Sequence, residues 1–245
     1  MTLRSLAMAA LLVPGGTACA QWAFAAGPAR VALVELFTSE GCSSCPPAEQ
    51  WLADRRGDAG LWRDFVPLAW HVTDWDDLGW HDRYARRVFT DRQYAYAHLW
   101  GSESVYTPCF VRNGREWRPG PAAGGGEQAG FLRARWDLEN GVIEAEFDPA
   151  AAAAGLNLAA HAAVLGGGIV SPIGAGENRG RALGHEFVVL AVADAALARE
   201  ADTFRGRLRL RVPPDRTITR RALAVWVTRR GDLVPLQAAG GWLAP

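Results

Sequence analysis

The residues of this chain best suited to chemistry are two cysteines, Cys42 and Cys45, which are separated by two serines. Thiols at this spacing can close a small ring, and they suit thiol–disulfide exchange because the second thiol resolves a mixed disulfide on the first. The pair follows an apolar, β-rich run at residues 31–37 and precedes a helical pattern at residues 48–56, where a redox motif lies in a βαβ unit. The spacing therefore predicts a site in which Cys42 attacks and Cys45 resolves.

The same spacing also serves other purposes. Zinc sites use it, although no second C-x-x-C or histidine pair completes a tetrahedral set here. A purely structural disulfide in a non-catalytic binding protein is a second alternative. A third cysteine, Cys109, follows Pro108, so a soft ion such as Cu(I), held by Cys42, Cys45, Cys109 and His71, is a third.

Two consecutive prolines, Pro46 and Pro47, follow the second cysteine. Proline disfavours the helical region for the residue before it, so extended geometry is expected at Cys45 and a helix start at Pro47. A late start places Cys42 further from the helix N-terminus, whose dipole lowers a thiol pKa. The sequence thus predicts modest activation of Cys42.

The first 25 residues have the layout of a secretory signal peptide. Arg4 precedes a short apolar run at residues 5–13, and A-x-A sites end at Ala20 and Ala25. The run is far shorter than the roughly 20 apolar residues that a membrane span needs. We therefore expect a periplasmic or secreted protein that is not stably inserted in a membrane once the signal peptide is removed.

Composition excludes some classes of partner. The chain has 26 basic and 26 acidic residues and no net charge, whereas a nucleic-acid-binding protein shows a basic excess or stripe. The glycine-rich residues 174–180 lack the Lys-Ser/Thr ending of a phosphate loop. We expect their Glu177, Asn178 and Arg179 to brace two parts of the molecule, Glu40 to be solvated, and no organic cofactor.

The element pattern changes once along the chain. Residues 30–137 carry the order β-α-β-α-β-β-α, with a second helix over residues 82–99 and a short closing helix over residues 127–136. Residues 141–245 carry short strands, such as the alternating run at residues 205–212. The expected fold class is therefore an α/β domain followed by a mainly antiparallel β domain.

Several stretches resemble a known family. Residues 31–114 are similar to the thioredoxin superfamily in the order strand, C-x-x-C, helix, strand, helix, and then Thr107-Pro108 opening a strand. More specifically, the chain resembles a family of secreted bacterial proteins of unknown function that contain a thioredoxin-like domain. The residues that carry this second resemblance are 34–48 (VELFTSEGCSSCPPA), 71–72, 75–76, 78–80, 106–108, 176–181, 185 and 188–189.

The resemblance implies a thioredoxin-like fold for residues 30–137 and a thiol–disulfide oxidoreductase whose partners are protein thiols or disulfides. It implies that Pro108 is a cis proline facing the dithiol. It also implies that Glu35 is a buried acid that accepts a proton from the second cysteine; an exposed glutamate at the strand edge is the alternative. Cys109 departs from the family pattern, which has a non-cysteine residue after this proline.

Overall fold

The computed structural model describes residues 21–120, 127–150, 155–212, 214–215 and 217–243. The first 20 residues of the expected signal peptide lie outside the described residues, whereas residues 21–26 form the first strand. Within the described ranges, no helix is both long and apolar enough to cross a membrane.

Fourteen strands and two α-helices make up the described chain. In chain order they are β1 (Gln21–Ala26), β2 (Ala32–Thr38), α1 (Pro46–Asp54), β3 (Phe65–His71), α2 (Arg87–Trp100), β4 (Cys109–Arg112), β5 (Arg115–Glu116), β6 (Gly130–Asp137), β7 (Val142–Pro149), β8 (Leu158–Gly167), β9 (Ile169–Pro172), β10 (Ala182–His185), β11 (Val188–Glu200), β12 (Thr203–Arg209), β13 (Arg220–Arg229) and β14 (Pro235–Trp242). Short 3₁₀ turns cover Arg55–Gly57 and Thr73–Leu78.

Twelve strands form one mixed sheet. Nine of them are hydrogen-bonded neighbours in the order β1-β6-β7-β12-β11-β3-β2-β4-β5. The other three extend from β11, which pairs with β8, and β8 pairs in turn with β13 and β13 with β14. The remaining strands, β9 and β10, form a separate two-stranded sheet.

The expected fold class, α/β with a thioredoxin-like domain followed by a mainly antiparallel β domain, is wrong. The chain is mostly β, and its large mixed sheet runs through both halves. One reason for the difference is the long strand β11, which pairs in parallel with β3 and antiparallel with β8 and β12. Hydrogen bonding therefore continues from one half of the chain into the other.

A second reason is the segment expected as a closing helix, which forms β6. Leu132, Ala134 and Trp136 are buried, while Phe131 and Arg133 are exposed. This period-two alternation is the signature of a strand with one buried face. Pairing with β1 on one side and β7 on the other then provides the partners that a strand needs.

The core consists mainly of buried side chains from strands of the large sheet. Its strands β8 and β13 are buried along almost their whole length, and their apolar runs therefore lack alternation. Three tryptophans, Trp70, Trp136 and Trp226, are among the largest side chains that are fully buried there.

Strands β2 and β3 position the site because they run in parallel and end side by side. Thr38 at the end of β2 is in register with His71 at the end of β3. The chain leaves β2 through residues 39–45 and enters α1 directly. Side chains from the ends of both strands and from the first turns of α1 therefore meet at one edge of the sheet.

The helix after the dithiol begins one residue earlier than expected. Cys45 has helical geometry, with φ −74° and ψ −35°, and α1 starts at Pro46. Both prolines lie in the first turn, where a backbone N–H has no partner within the helix. The preference of the residue before a proline for extended geometry is therefore overridden at Cys45 by the capping of α1: its carbonyl accepts hydrogen bonds from the N–H groups of Ala48 and Glu49.

Candidate functional site

Cys42 and Cys45 are joined in a disulfide, with their Cα atoms 5.4 Å apart. Both residues are fully buried, whereas Ser43 and Ser44 between them are exposed. The turn is tight, because the N–H of Cys45 donates to the carbonyl of Cys42 at 3.3 Å. The disulfide therefore lies under the surface at the N-terminus of α1, with only the two serines facing solvent.

Pro108 lies beside this disulfide, and the Thr107–Pro108 peptide bond is cis. The carbonyl oxygen of Thr107 is 3.8 Å from the Sγ atom of Cys42 and accepts a hydrogen bond from Ser44 Oγ at 3.4 Å. Trp75 Nε1 donates to the Thr107 hydroxyl at 2.8 Å. The structure thus brings three of the expected site residues, Cys42, Cys45 and Pro108, into one place.

Residues 173–181, which connect β9 to β10, lie against the dithiol turn; we call them the cover loop. Asn178 is fully buried, and its Nδ2 donates to the carbonyl oxygens of Glu40 and Cys42, both at 2.9 Å. The N–H of Ser43 donates to Glu177 Oε2 at 3.1 Å, and hydrogen bonds from the Ser43 side chain and then its backbone lower the pKa of that carboxyl. The cover loop therefore holds the cysteine turn from a position more than 130 residues away in sequence.

Glu35 is buried, but its partners are not the cysteines. One carboxylate oxygen accepts hydrogen bonds from Trp70 Nε1 at 2.9 Å and Arg92 Nε at 2.7 Å, and the other accepts from the Tyr96 hydroxyl. Three donors thus hold the carboxylate in a buried ion pair with Arg92. This arrangement favours a structural part for Glu35 over the expected proton transfer.

Cys109 is a buried free thiol on β4, paired across the sheet with Phe37 of β2. Burial raises the pKa of this thiol to about 11, although a hydrogen bond with Tyr106 opposes the shift. Cys109 is therefore protonated at neutral pH, which makes it a poor nucleophile and a poor metal ligand.

Five ionisable side chains form a buried cluster beside the disulfide, which we call the His/carboxylate cluster: Glu40, Glu49, His71, Asp82 and His185. His71 Nδ1 is 2.7 Å from Asp82 Oδ2, and His185 Nδ1 contacts Glu49 Oε2. His185 Nε2 lies 3.3 Å from Glu40 Oε1. Each of these five residues is at most 6% exposed.

Opposite charges outweigh burial throughout this cluster. Burial alone would lower the pKa of His185, but Glu49 and Glu40 raise it to about 10. Burial likewise opposes the shift at His71, where the Asp82 carboxylate raises the pKa of the imidazole. His71 in turn lowers the pKa of Asp82 to about 2 despite its burial. At neutral pH the His185 imidazolium is therefore balanced by the Glu49 and Glu40 carboxylates.

The metal set considered from the sequence is not the group that the structure assembles. Among the described residues, the group of three ligand-type side chains with ligand atoms within 4.8 Å of one another is Glu49, His71 and His185. His71 belongs to it, but none of the three cysteines does. Sequence reasoning missed Glu49 and His185 as site residues.

Two signals in the sequence pointed to these missed residues. Glu49 follows Cys45 by four residues, which is one helical turn, and His185 is one of the residues that carry the family resemblance. Glu40, expected in solvent, is instead buried, and its Oε2 accepts a hydrogen bond from Trp80 Nε1 at 2.8 Å.

Two solved structures resemble this chain. Protein AGR_C_4864 from Agrobacterium tumefaciens is 21% identical with a TM-score of 0.59, over 88% of this chain and 95% of that one. HBP35 of Porphyromonas gingivalis is 16% identical with a TM-score of 0.59, over 89% of this chain and 76% of that one. These likenesses concern the fold alone. No curated protein matches the chain.

A family model described as a protein of unknown function, DUF1223, matches residues 33–228. The match runs from β2 through the dithiol turn, the cover loop and the His/carboxylate cluster into β13. It agrees with the resemblance to a family of unknown function that the sequence motifs indicated. The chain therefore belongs to the DUF1223 family.

Proposed function

We propose that this protein is a thiol–disulfide oxidoreductase whose disulfide is exposed when the cover loop opens. The observation that carries the proposal is the position of Cys42: its Sγ atom is bonded to Cys45 and lies 3.8 Å from the carbonyl of Thr107, next to Pro108. This arrangement brings together a disulfide, the N-terminus of α1 and the bend at the cis Thr107–Pro108 bond.

A neighbouring cleft supports a protein partner. It measures about 250 Å³ and is lined by Trp75, Leu78, Tyr94, Tyr106 and Thr107, among others. Leu78, Tyr94 and Tyr106 are large hydrophobic side chains that are about half exposed. Large contiguous exposed apolar patches mark sites where other proteins bind, and these three side chains line one cleft. The cleft suits an apolar segment flanking the reacting cysteine of a partner.

The exchange step balances within the two proteins. A thiolate of the partner attacks Cys42 Sγ, the Cys42–Cys45 bond breaks, and Cys45 leaves as a thiolate. The partner's second thiolate then attacks the mixed disulfide and releases Cys42. The partner dithiol is oxidised by two electrons to a disulfide, and the Cys42–Cys45 disulfide is reduced by the same two electrons. The reverse sequence reduces a partner disulfide.

Full burial of both cysteines means that exchange needs a movement. The attacking thiolate must reach Cys42 along the S–S axis. In this turn the exposed residues are Ser43 and Ser44, and neither cysteine is exposed to solvent. Asn178 and Glu177 hold the turn from the cover loop. Opening of this loop is the smallest change that releases the turn.

The direct test is trapping by a Cys45→Ser variant. Without the resolving thiol, the mixed disulfide on Cys42 persists, and mass spectrometry of the complex identifies the partner cysteine. Cys42→Ser is the matched control and should trap nothing. Equal trapping by both variants, or none by either in the compartment where the protein resides, contradicts the proposal.

A second candidate function is a binding protein with a structural disulfide, which the complete burial of Cys42 and Cys45 favours. Equilibration with glutathione redox buffers separates the two. Structural disulfides have reduction potentials below about −300 mV, whereas exchange sites are more oxidising. A potential above that value supports exchange, and one well below it supports the structural alternative.

We also propose export with cleavage before Gln21. The strand pairing of β1 with β6 supports this position, because cleavage after Ala25 would remove five of the six residues of β1. N-terminal sequencing of the protein recovered from the host's periplasm or medium should begin at Gln21. Recovery only in the cytoplasm with Met1 retained contradicts the proposal.

A further inference from the structure

The side chains of Glu49, His71 and His185 converge from three separate elements. Glu49 comes from α1, His71 ends β3, and His185 ends β10. One ligand atom from each lies within 4.8 Å of the others, and all three residues are buried. We propose that these three residues form a binding site for a divalent transition-metal ion of the Zn²⁺ type. The proposal is independent of the redox function of the disulfide.

An unpartnered nitrogen lies at the same point. Within the described chain, Nε2 of His71 is buried without a hydrogen-bond partner, whereas Nε2 of His185 is paired by charge with Oε1 of Glu40 at 3.3 Å. Buried polar groups are almost always hydrogen-bonded, so this exception calls for an explanation. The orphaned His71 Nε2 indicates a missing electron-pair acceptor, and a metal ion would satisfy it together with His185 and Glu49.

The surrounding contacts resemble the outer layer of a metal site. Asp82 Oδ2 is 2.7 Å from His71 Nδ1, which leaves the opposite ring nitrogen for an ion. Histidine ligands are commonly oriented by a carboxylate in this way. Thr38 Oγ1 donates to Glu49 Oε1 at 2.7 Å, which orients the other carboxylate oxygen. Two of the three proposed ligands are therefore already held in position by neighbours.

The donor set selects the class of metal. Two imidazoles and one carboxylate match the His₂Glu set of zinc sites that keep an open fourth position. Mg²⁺ and Ca²⁺ prefer oxygen ligands alone, and Cu(I) prefers sulfur. Two further carboxylates, Glu40 and Asp82, lie against the two imidazoles, and their negative charge favours a cation at this point.

A surface cleft borders this cluster. It measures about 200 Å³ and is lined by Glu40 and Ser171 together with Trp80, His81 and Arg83, among others. Glu40 Oε1 lies 3.3 Å from His185 Nε2. Glu40 therefore stands between the cleft and the proposed ligands.

The test is a zinc titration of the full oxidised chain after treatment with a chelator. Isothermal calorimetry should show one Zn²⁺ bound per chain, and Mg²⁺ at the same concentration should not compete. Glu49→Gln and His71→Gln should each lower the affinity by at least the 10–100-fold that is typical of losing even an outer-layer partner. No bound Zn²⁺, or a stoichiometry far below one, overturns the proposal.

Two control variants make the test specific to these ligands. His81→Gln changes an exposed histidine of the same cleft, and the double variant Cys42→Ser/Cys45→Ser removes the disulfide; both should bind Zn²⁺ like the unaltered protein. Loss of binding in either control, with binding retained in His71→Gln, overturns the assignment. If the ligand variants fail to fold, X-ray absorption of the zinc-loaded unaltered chain decides: imidazole scattering without sulfur supports the site, and sulfur ligation contradicts it.

Discussion

Replacing Asn178 with alanine should expose the disulfide to reductant. The Asn178 amide donates two buried hydrogen bonds, to the carbonyls of Glu40 and Cys42. In the variant the Glu40 carbonyl stays buried without this partner while the cover loop is closed, and the Cys42 carbonyl keeps only the hydrogen bond from the N–H of Cys45. Opening of the loop lets water replace the lost donor at both carbonyls. An orphaned buried acceptor costs about 1–3 kcal/mol and a lost hydrogen bond about 1 kcal/mol, so the closed state loses about 3 kcal/mol in total.

That free energy sets the size of the expected effect. A shift of 1.4 kcal/mol changes an equilibrium constant tenfold, so the open fraction of the cover loop should rise about 100-fold. Where opening and closing are fast compared with reduction, the observed rate follows the open fraction. The second-order rate constant for reduction of Cys42–Cys45 by a phosphine, followed by maleimide labelling and gel shift, should therefore rise by about the same factor in Asn178→Ala.

Two further variants separate loop opening from other causes. Arg179→Ala removes an exposed side chain of the cover loop and should reduce at the unaltered rate. Leu208→Ala empties part of the buried face of β12 and should destabilise the whole fold by about 2–5 kcal/mol. Its reduction rate should not rise if local opening controls access. A rate for Asn178→Ala within twofold of the unaltered protein refutes the gating argument, and a faster rate for Leu208→Ala assigns access to global unfolding.

Three other perturbations have defined outcomes. Arg92→Met leaves the fully buried Glu35 carboxylate without its cation and should lower the free energy of unfolding, measured with urea, by about 3–5 kcal/mol. Adding Glu35→Gln to this variant should restore most of the lost stability. An unchanged urea midpoint in Arg92→Met contradicts the expected loss. Burial, with a smaller contribution from Arg92, lowers the pKa of His161 from 6.5 to about 4. Between these two pH values His161 is protonated in the unfolded chain and neutral in the folded one. The free energy of unfolding should therefore fall by about 3 kcal/mol as the pH drops from 6.5 to 4. His161→Phe should flatten that part of a pH series of urea melts, and an equally steep series would show that other groups dominate. In an oxidised chain lacking residues 1–20, Ellman's reagent at pH 7 should detect no thiol in the native protein and one thiol after denaturant is added. The reason is that burial raises the pKa of Cys109 to about 11. Rapid labelling of the native protein would contradict the burial of Cys109.

Local structure around the dithiol could be predicted from sequence because it depends on neighbours in the chain. The apolar run at residues 31–37 became β2 (Ala32–Thr38), and the pattern at residues 48–56 became α1 (Pro46–Asp54) with a shift of two residues. The second strand expected in the β-α-β order of the first half likewise formed, as β3 (Phe65–His71). In each case the hydrophobic period and the flanking glycines or prolines carry enough information, since strands and helices of this length are set by local propensity and pattern.

The fold class could not be predicted in the same way, because strand partners lie far apart in sequence. Residues 127–136 contain good helix formers, but β1 and β7 supply two edges to which the segment bonds as β6. Likewise β11 joins β3 to β8 and β12. Tertiary pairing of this kind overrides helix propensity, which amounts to only a few tenths of a kcal/mol per residue.

The same distinction between local pattern and tertiary contact applies to the candidate site. The sequence by itself determined that two thiols lie three residues apart between a strand and a helix, because spacing and flanking pattern are local. Only the tertiary structure decided that His185, 136 residues after Glu49, contacts its carboxylate, and that Asn178 holds the Cys42 turn from the cover loop. The physical reason is that charge pairs and hydrogen bonds in a buried cluster depend on distance in space, and no local pattern in the chain encodes which distant strand ends will meet.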